Sequence, residues 1–198
     1  MSYQIEFEER VMLSESQYKA IISDVKKTFR NTKFIFIKNR YFDTPNMDLW
    51  NKHQILRLRS DRYGNRVLTY KCKGDSGDTE LSESLTFLWQ RQILSNSTFR
   101  DGEITASLRQ NGVIPNTLKH IGTLFTKRME IRIDNYLLVI DGNTFNNIID
   151  YDLEIEADSK EEAKRIIDMY CKKYNLTYSN DYKSKSTRLF LDLGLIRK

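Results

Sequence analysis

Five short stretches of this chain set ionisable side chains two residues apart. Glu6, Glu8 and Arg10 form the first, Arg57 and Arg59 the second, and Lys71 and Lys73 the third. Arg128, Glu130 and Arg132 form the fourth, and Asp152, Glu154 and Glu156 the fifth. Between them, Glu9 apart, stand apolar residues: Phe7, then Leu58, then Cys72, then Met129 and Ile131, then Leu153 and Ile155. Side chains alternate along a strand, so each stretch predicts a strand with one charged and one apolar face. One such strand alone would be an ordinary half-solvated strand. Five with the same division predict a shared polar surface. Carboxylates in pairs, with no histidine among them, suit a hard, oxygen-loving cation such as Mg2+ or Mn2+, and the bases suit phosphate oxygens. Together they predict a receptor for a metal-bound polyphosphate. There the metal would polarise a phosphoryl group and orient water, while arginines neutralise the charge that builds on oxygen.

Other chemistries fit less well. The chain has no GxxxxGK phosphate loop and no GxSxG elbow, and its two histidines, His53 and His120, show no ligand spacing. The formal net charge of +5 and the pI near 9.1 suit an anionic partner, yet the bases are interspersed with acids instead of gathered in a tail. They also alternate with apolar residues and lack an aromatic stacking platform, which argues against nucleic acid as the partner. An RNA 5′-triphosphate end stays among the candidate substrates. No basic-plus-apolar leader opens the sequence and no apolar run reaches the roughly 20 residues that cross a bilayer, so a cytoplasmic protein without a membrane partner is expected. Cys72 and Cys171 read as separate buried thiols.

The elements that must position these residues follow from hydrophobic period. With 198 residues, 39% hydrophobic and 30% charged, and only two prolines, the chain reads as one domain, residues 1–198. Ser14 with Gln17, and Ser159 with Glu162, are capping-box pairs. Each opens a helix with an apolar stripe: Tyr18, Ile21, Ile22, Val25 and Phe29 in the first, and Ala163, Ile166, Ile167, Tyr170 and Tyr174 in the second. Strands are expected from Ile5 to near Leu13 and at Phe34 to Ile37, His53 to Arg59, Arg66 to Lys73, Glu80 to Phe87, Phe125 to Ile133, Tyr136 to Asp141 and Tyr151 to Ala157, with Arg40 to Asp43 leading into a turn at Thr44-Pro45-Asn46 and a helical insertion at about 88–124. Short connections make the sheet antiparallel and the fold α+β. Two amphipathic helices must cover the apolar face, so the charged faces look the other way. Closure into a barrel of about eight strands would gather them around one lumen. That lumen would also take Asp141 and Lys185; Glu80, Glu83 and Glu130 read equally as lumen acids or salt-bridge partners, and Lys73 and Arg188 equally as lumen bases or rim charges.

The ordered set of motifs resembles the CYTH superfamily, the triphosphate tunnel metalloenzymes. Glu6 to Arg10 resembles its ExExK signature, Tyr41-Phe42-Asp43-Thr44 its Y-[YF]-D-T segment, Leu56 to Arg59 its LRxR strand, Tyr70 to Lys73 its basic strand and Asp152 to Glu156 its ExExE strand. The resemblance implies a closed eight-stranded antiparallel tunnel, dependence on a divalent metal, and hydrolysis of tripolyphosphate, a nucleoside triphosphate or thiamine triphosphate. It implies metal binding by Glu6, Glu8, Glu154 and Glu156, with Asp141 beside them. It implies phosphate binding by Arg10, Arg57, Arg59, Lys71, Lys73, Arg128, Arg132 and Lys185, and catalysis by Glu6, Glu8, Arg10 and Lys71. Within the family the chain looks most like small bacterial proteins labelled adenylate cyclases. Two positions depart from the pattern: Arg10 replaces the usual lysine, and Asp152 is one methylene shorter than the usual glutamate. Arginine cannot readily release a proton. A cyclase that forms cyclic AMP and pyrophosphate from ATP, and a non-catalytic polyphosphate or nucleotide sensor, therefore stand as alternatives. The protein is expected to be a monomer or homodimer.

Overall fold

A computed structural model describes residues 2–5, 7–74, 77–179 and 181–197, with the backbone alone for 2–5, 73, 74, 77 and 78. Glu6 thus lies outside the described residues, as does the side chain of Lys73. The strands are β1 (Ser2–Ile5), β2 (Phe7–Leu13), β3 (Ile35–Asp43), β4 (Gln54–Asp61), β5 (Arg66–Gly74), β6 (Gly77–Ser84), β7 (Lys119–Ile133), β8 (Tyr136–Phe145) and β9 (Ile148–Ala157). The helices are α1 (Glu15–Thr28), α2 (Asp48–Asn51), α3 (Phe87–Asn96), α4 (Glu103–Gln110), α5 (Lys160–Tyr174) and α6 (Lys185–Asp192). Every strand pairing with a described register is antiparallel, and the fold is α+β as expected. None of the described helices is long and apolar enough to cross a membrane.

The chain divides into two compact units: residues 1–5, 38–124 and 185–198, and residues 6–37 and 125–184. In the second, which we call the acidic unit, the strand order is β7-β8-β9-β2. Helix α1 begins where Ser14 and Gln17 close the expected capping box: the Gln17 amide donates to Ser14 Oγ at 3.2 Å and the Ser14 amide to Gln17 Oε1 at 2.8 Å. At α5 the Glu162 amide donates to Ser159 Oγ, while the Glu162 side chain turns away to Asn135 and Arg165. Tyr18, Ile21 and Val25 of α1 and Ala163, Ile166 and Ile167 of α5 bury against Val11, Met129, Leu138, Ile140, Leu153 and Ile155. Full burial of each large aliphatic side chain contributes about 1.5–3 kcal/mol. The same strands leave their other face to the charged residues.

The first unit, the basic unit, has the strand order β1-β6-β5-β4-β3-β7. Leu56, Leu58, Leu68, Tyr70 and Phe42 bury against Ile93 of α3 and Ile104 and Leu108 of α4. Those two helices are the helical stretch expected near 88–124. It ends earlier than expected, because β7 starts at Lys119 and not at Phe125. Two helices were not foreseen. Helix α2 forms because Asp43, 2% exposed, accepts the amides of Thr44, Leu49 and Trp50 at 2.7–2.9 Å and so completes its open N-terminus. Helix α6 buries Leu189 and Phe190, with the Phe190 ring edge-on to Tyr41 and Trp50 at 5.6 and 5.5 Å. Gly122 permits its approach: a Cβ there would stand 2.8 Å from Leu193 Cδ1 and 3.0 Å from Leu189 Cδ2.

Candidate active site

In the acidic unit the strand register sorts the charged face into rows. Arg10 pairs with Glu154, which pairs with Val139 and through it Glu130. Glu8 pairs with Glu156, then Leu137, then Arg132. Met12 pairs with Asp152, then Asp141, then Arg128. Alternation thus brings the expected Glu8, Arg10, Arg128, Asp141, Glu154 and Glu156 onto one face. Arg132 shares their parity but is exposed, beyond the buried cluster.

Three carboxylates there are almost inaccessible: Asp141 and Asp152 at 0% and Glu154 at 3%. Buried charge must be matched by close partners. Arg128 supplies much of the match. Its Nε and one terminal nitrogen donate to the two oxygens of Asp141 at 2.9 and 2.7 Å, with Glu154 at 3.4 Å and Glu130 at 3.3 Å. Arg10 pairs with Glu8, and its Nε lies 3.0 Å from Glu154 Oε1. Burial alone would loosen the Arg10 proton, but Glu154 and Glu8, then Tyr182 and Asp152, raise its pKa and hold it charged. Burial likewise opposes the charge on Arg128, and Asp141 and Glu154 overcome it. Asn143, fully buried, donates to Asp152 at 2.9 Å and Asp150 at 3.0 Å and accepts from Thr126 at 2.9 Å.

The donor set fits a hard divalent cation. One oxygen each of Glu8, Glu154 and Glu156 lie within 4.8 Å of one another, as do oxygens of Asp141, Asp152 and Glu154. Oxygens around a six-coordinate ion at about 2.1 Å stand roughly 3 to 4.2 Å apart, so either trio could converge on one ion with little movement. The first trio is the more open, since Glu8 and Glu156 are half-buried.

In the basic unit, Arg57 pairs with Thr69 and then Ser82, and Lys71 pairs with Glu80. Arg59 Nε donates to Asn39 Oδ1 at 3.2 Å, and Lys71 Nζ lies 2.6 Å from Glu80. Arg57 Nε is buried and makes no hydrogen bond. An orphaned donor of this kind is what an anionic ligand would complete. Burial pushes the Glu80 carboxyl up, but Lys71, Arg57 and Ser82 outweigh it and hold Glu80 below the usual range. Glu83, three residues on, pairs with Leu68 and so faces the helices. Lys185 and Arg188 are half-buried on α6, and Tyr41 is buried against Phe190.

Three participants were not foreseen. Asn39 steadies Arg59, Asn143 steadies Asp152, and Tyr182 places its ring centroid 5.8 Å from the Arg10 guanidinium carbon. The parity of Asn39 and Asn143 within their strands was the available signal. Tyr182 comes from a segment between helices and carried none.

Comparison with known proteins finds relatives over nearly the whole chain. YjbK of Bacillus subtilis (strain 168), named as a proposed triphosphatase, is 28% identical over 190 residues, 96% of either chain. The crystal structure of a Bacillus halodurans protein described as a proposed adenylate cyclase is 28% identical, with a TM-score of 0.88 over 96% of this chain and 100% of that one. A Hippeastrum protein, described as a proposed adenylyl cyclase with a dominant triphosphatase activity, shares the fold at 22% identity and a TM-score of 0.80, over 95% of this chain and 96% of its own. A model of the CYTH domain matches residues 4–188, and the chain belongs to that family.

Proposed function

We propose that this protein is a divalent-metal-dependent triphosphatase that hydrolyses tripolyphosphate or a related organic triphosphate. The observation that carries this reading is the division of labour between two charged faces. One holds an oxygen-only trio suited to a cation, and the other holds Arg57, Arg59 and Lys71 with an orphaned donor suited to an anion. The triphosphatase role proposed for the Bacillus subtilis relative supports it.

We further propose that the sheet closes into a tunnel. In support, β1 ends the strand order of one unit, β2 ends that of the other, and Glu6 alone separates them in the chain. Strands that continue in this way allow an antiparallel sheet to close.

A bound Mg2+ or Mn2+ would screen the phosphate oxygens and lower the pKa of a coordinated water. Glu8, Glu154 and Glu156 would hold it, with Glu6 as a proposed fourth. Arg57, Arg59 and Lys71 would grip the chain of phosphates. Arg10 would take up charge that grows on the bridging oxygen as the bond breaks. Water adds to the terminal phosphorus, the bridging P–O bond breaks, and tripolyphosphate yields phosphate and pyrophosphate. Arg128, fully engaged with Asp141 and its neighbours, serves this scheme by fixing the carboxylates.

The test is to incubate the protein with tripolyphosphate, ATP and thiamine triphosphate, with Mg2+, Mn2+ or EDTA, and to measure phosphate, pyrophosphate and cyclic AMP. Phosphate release from tripolyphosphate that EDTA and Glu156→Gln abolish is expected. Cyclic AMP with pyrophosphate from ATP would establish a cyclase instead, and binding without turnover would establish a sensor.

A further inference from the structure

Two tyrosines between α5 and α6, Tyr178 and Tyr182, reach neighbouring residues of β2 from its two faces. Tyr178 donates its hydroxyl to the Glu9 carboxylate, and its ring centroid lies 3.6 Å from the Lys164 ammonium of α5. Glu9 shares the parity of Val11 and Leu13, which face the helices. Tyr182 lies against Arg10, on the charged face. Glu9 and Arg10 are consecutive, so the two tyrosines hold the strand at one point from both sides. The Tyr178 end is anchored to α5 and leaves Tyr182 set against the guanidinium.

We propose that Tyr182 is a positioning residue for Arg10. Its ring fixes the plane of the guanidinium and so decides which N–H edge is offered to a phosphate; this rests on the triphosphatase reading above. Ion pairs to Glu8 and Glu154 hold two nitrogens of Arg10, and the Tyr182 ring is a third contact on the same guanidinium. A ring within about 6 Å of the guanidinium attracts the cation and restricts its plane. A lysine has no plane to fix, so the contact acts on the residue by which this chain departs from the ExExK pattern.

Two measurements test this: the NMR resonances of the Arg10 side chain, and calorimetric affinity for tripolyphosphate in metal-free buffer. Both are made on the native chain, Tyr182→Phe and Tyr182→Leu, and affinity also in an Arg10→Lys background. Loss of the ring in Tyr182→Leu should shift the Arg10 resonances and weaken binding about fivefold. Tyr182→Phe should retain both native values. In the Arg10→Lys background the leucine substitution should cost less than about twofold, since no guanidinium plane remains to be held. Equal losses in both backgrounds, or Arg10 resonances that ignore the leucine substitution, would overturn the proposal. If the native chain binds tripolyphosphate neither in metal-free buffer nor with Mg2+, the triphosphatase reading fails and takes the phosphate part of this inference with it. Intact binding without coupling would sink Tyr182 alone.

Discussion

The charged faces of the two units obey opposite rules. On the acidic unit, carboxylates outnumber bases, the innermost are inaccessible, and Arg128 is spent on them, while Arg10 Nε lies 3.0 Å from Glu154 without a hydrogen bond to it. On the basic unit, Arg57, Arg59 and Lys71 are half-buried around one described carboxylate partner, Glu80, and a buried donor of Arg57 is left unbonded. Removing an ion from water costs several kcal/mol unless partners replace the hydration. Around Arg128, where burial is deepest, the fold supplies those partners itself. Where burial is partial, water or a ligand can supply them. One face is built to be stable and pre-arranged, the other to receive.

The largest test of that contrast pairs Arg128→Met with Lys71→Met. Loss of Arg128 strands Asp141 and Glu154 as buried charges and should cost about 3–5 kcal/mol in urea unfolding. Loss of Lys71, with a 28% exposed side chain, should cost no more than about 1 kcal/mol. Equal destabilisation would break the comparison. The next test inverts the readout: Arg57→Gln should leave stability within about 0.5 kcal/mol. It should weaken tripolyphosphate binding by about ten- to a hundredfold, the worth of a charged hydrogen bond of roughly 1.5–3 kcal/mol. Unchanged binding with lowered stability would make Arg57 structural.

Asp43 sharpens the rule, because it is a fully buried carboxylate within the basic unit. It is completed by backbone amides instead of a cation, and burial still raises its pKa in spite of the three amides. Asp43→Asn keeps the oxygen that serves Thr44 and Leu49 but turns an N–H toward the Trp50 amide. A loss of about 1–3 kcal/mol is expected, with tripolyphosphate affinity unchanged. Denaturation and calorimetry on the same sample separate the two effects.

The charged strands were legible because side-chain parity is a property of a strand whatever surrounds it. It correctly placed Glu8, Arg10, Arg57, Lys71, Arg128 and Glu154 opposite the helices. The same rule separates Glu80 from Glu83, which differ by an odd number. The Ser14 and Gln17 cap was legible because it is closed within one turn. Parity cannot say which face residue is already occupied. Nothing local shows that Arg128 is engaged on all sides, since Asp141 and Glu154 come from two other strands. Helix α6 escaped notice for a related reason. Its apolar side is short, and what it covers, Tyr41, Trp50 and Gly122, lies far away in sequence.

The smallest expected effect concerns the anchor on the helix-covered side of β2. The hydrogen bond to Glu9, and then burial, push the Tyr178 hydroxyl up to about 12, against about 10 for an unfolded tyrosine. A group whose pKa is raised on folding stabilises the fold fully below its unfolded value and loses that contribution as pH rises through its folded value. The contribution of Tyr178 should therefore be constant up to about pH 10 and gone a little above pH 12. Tyr178→Phe removes the hydroxyl and should lower Tm by about 2–4 °C at pH 7, the equivalent of roughly 1 kcal/mol in a chain of this size. Other tyrosines also titrate in alkali, so the informative quantity is the difference in Tm between native chain and variant. That gap should stay level to about pH 10 and close by about pH 12. A gap that persists unchanged above about pH 12 would show that the hydroxyl does not control the contact.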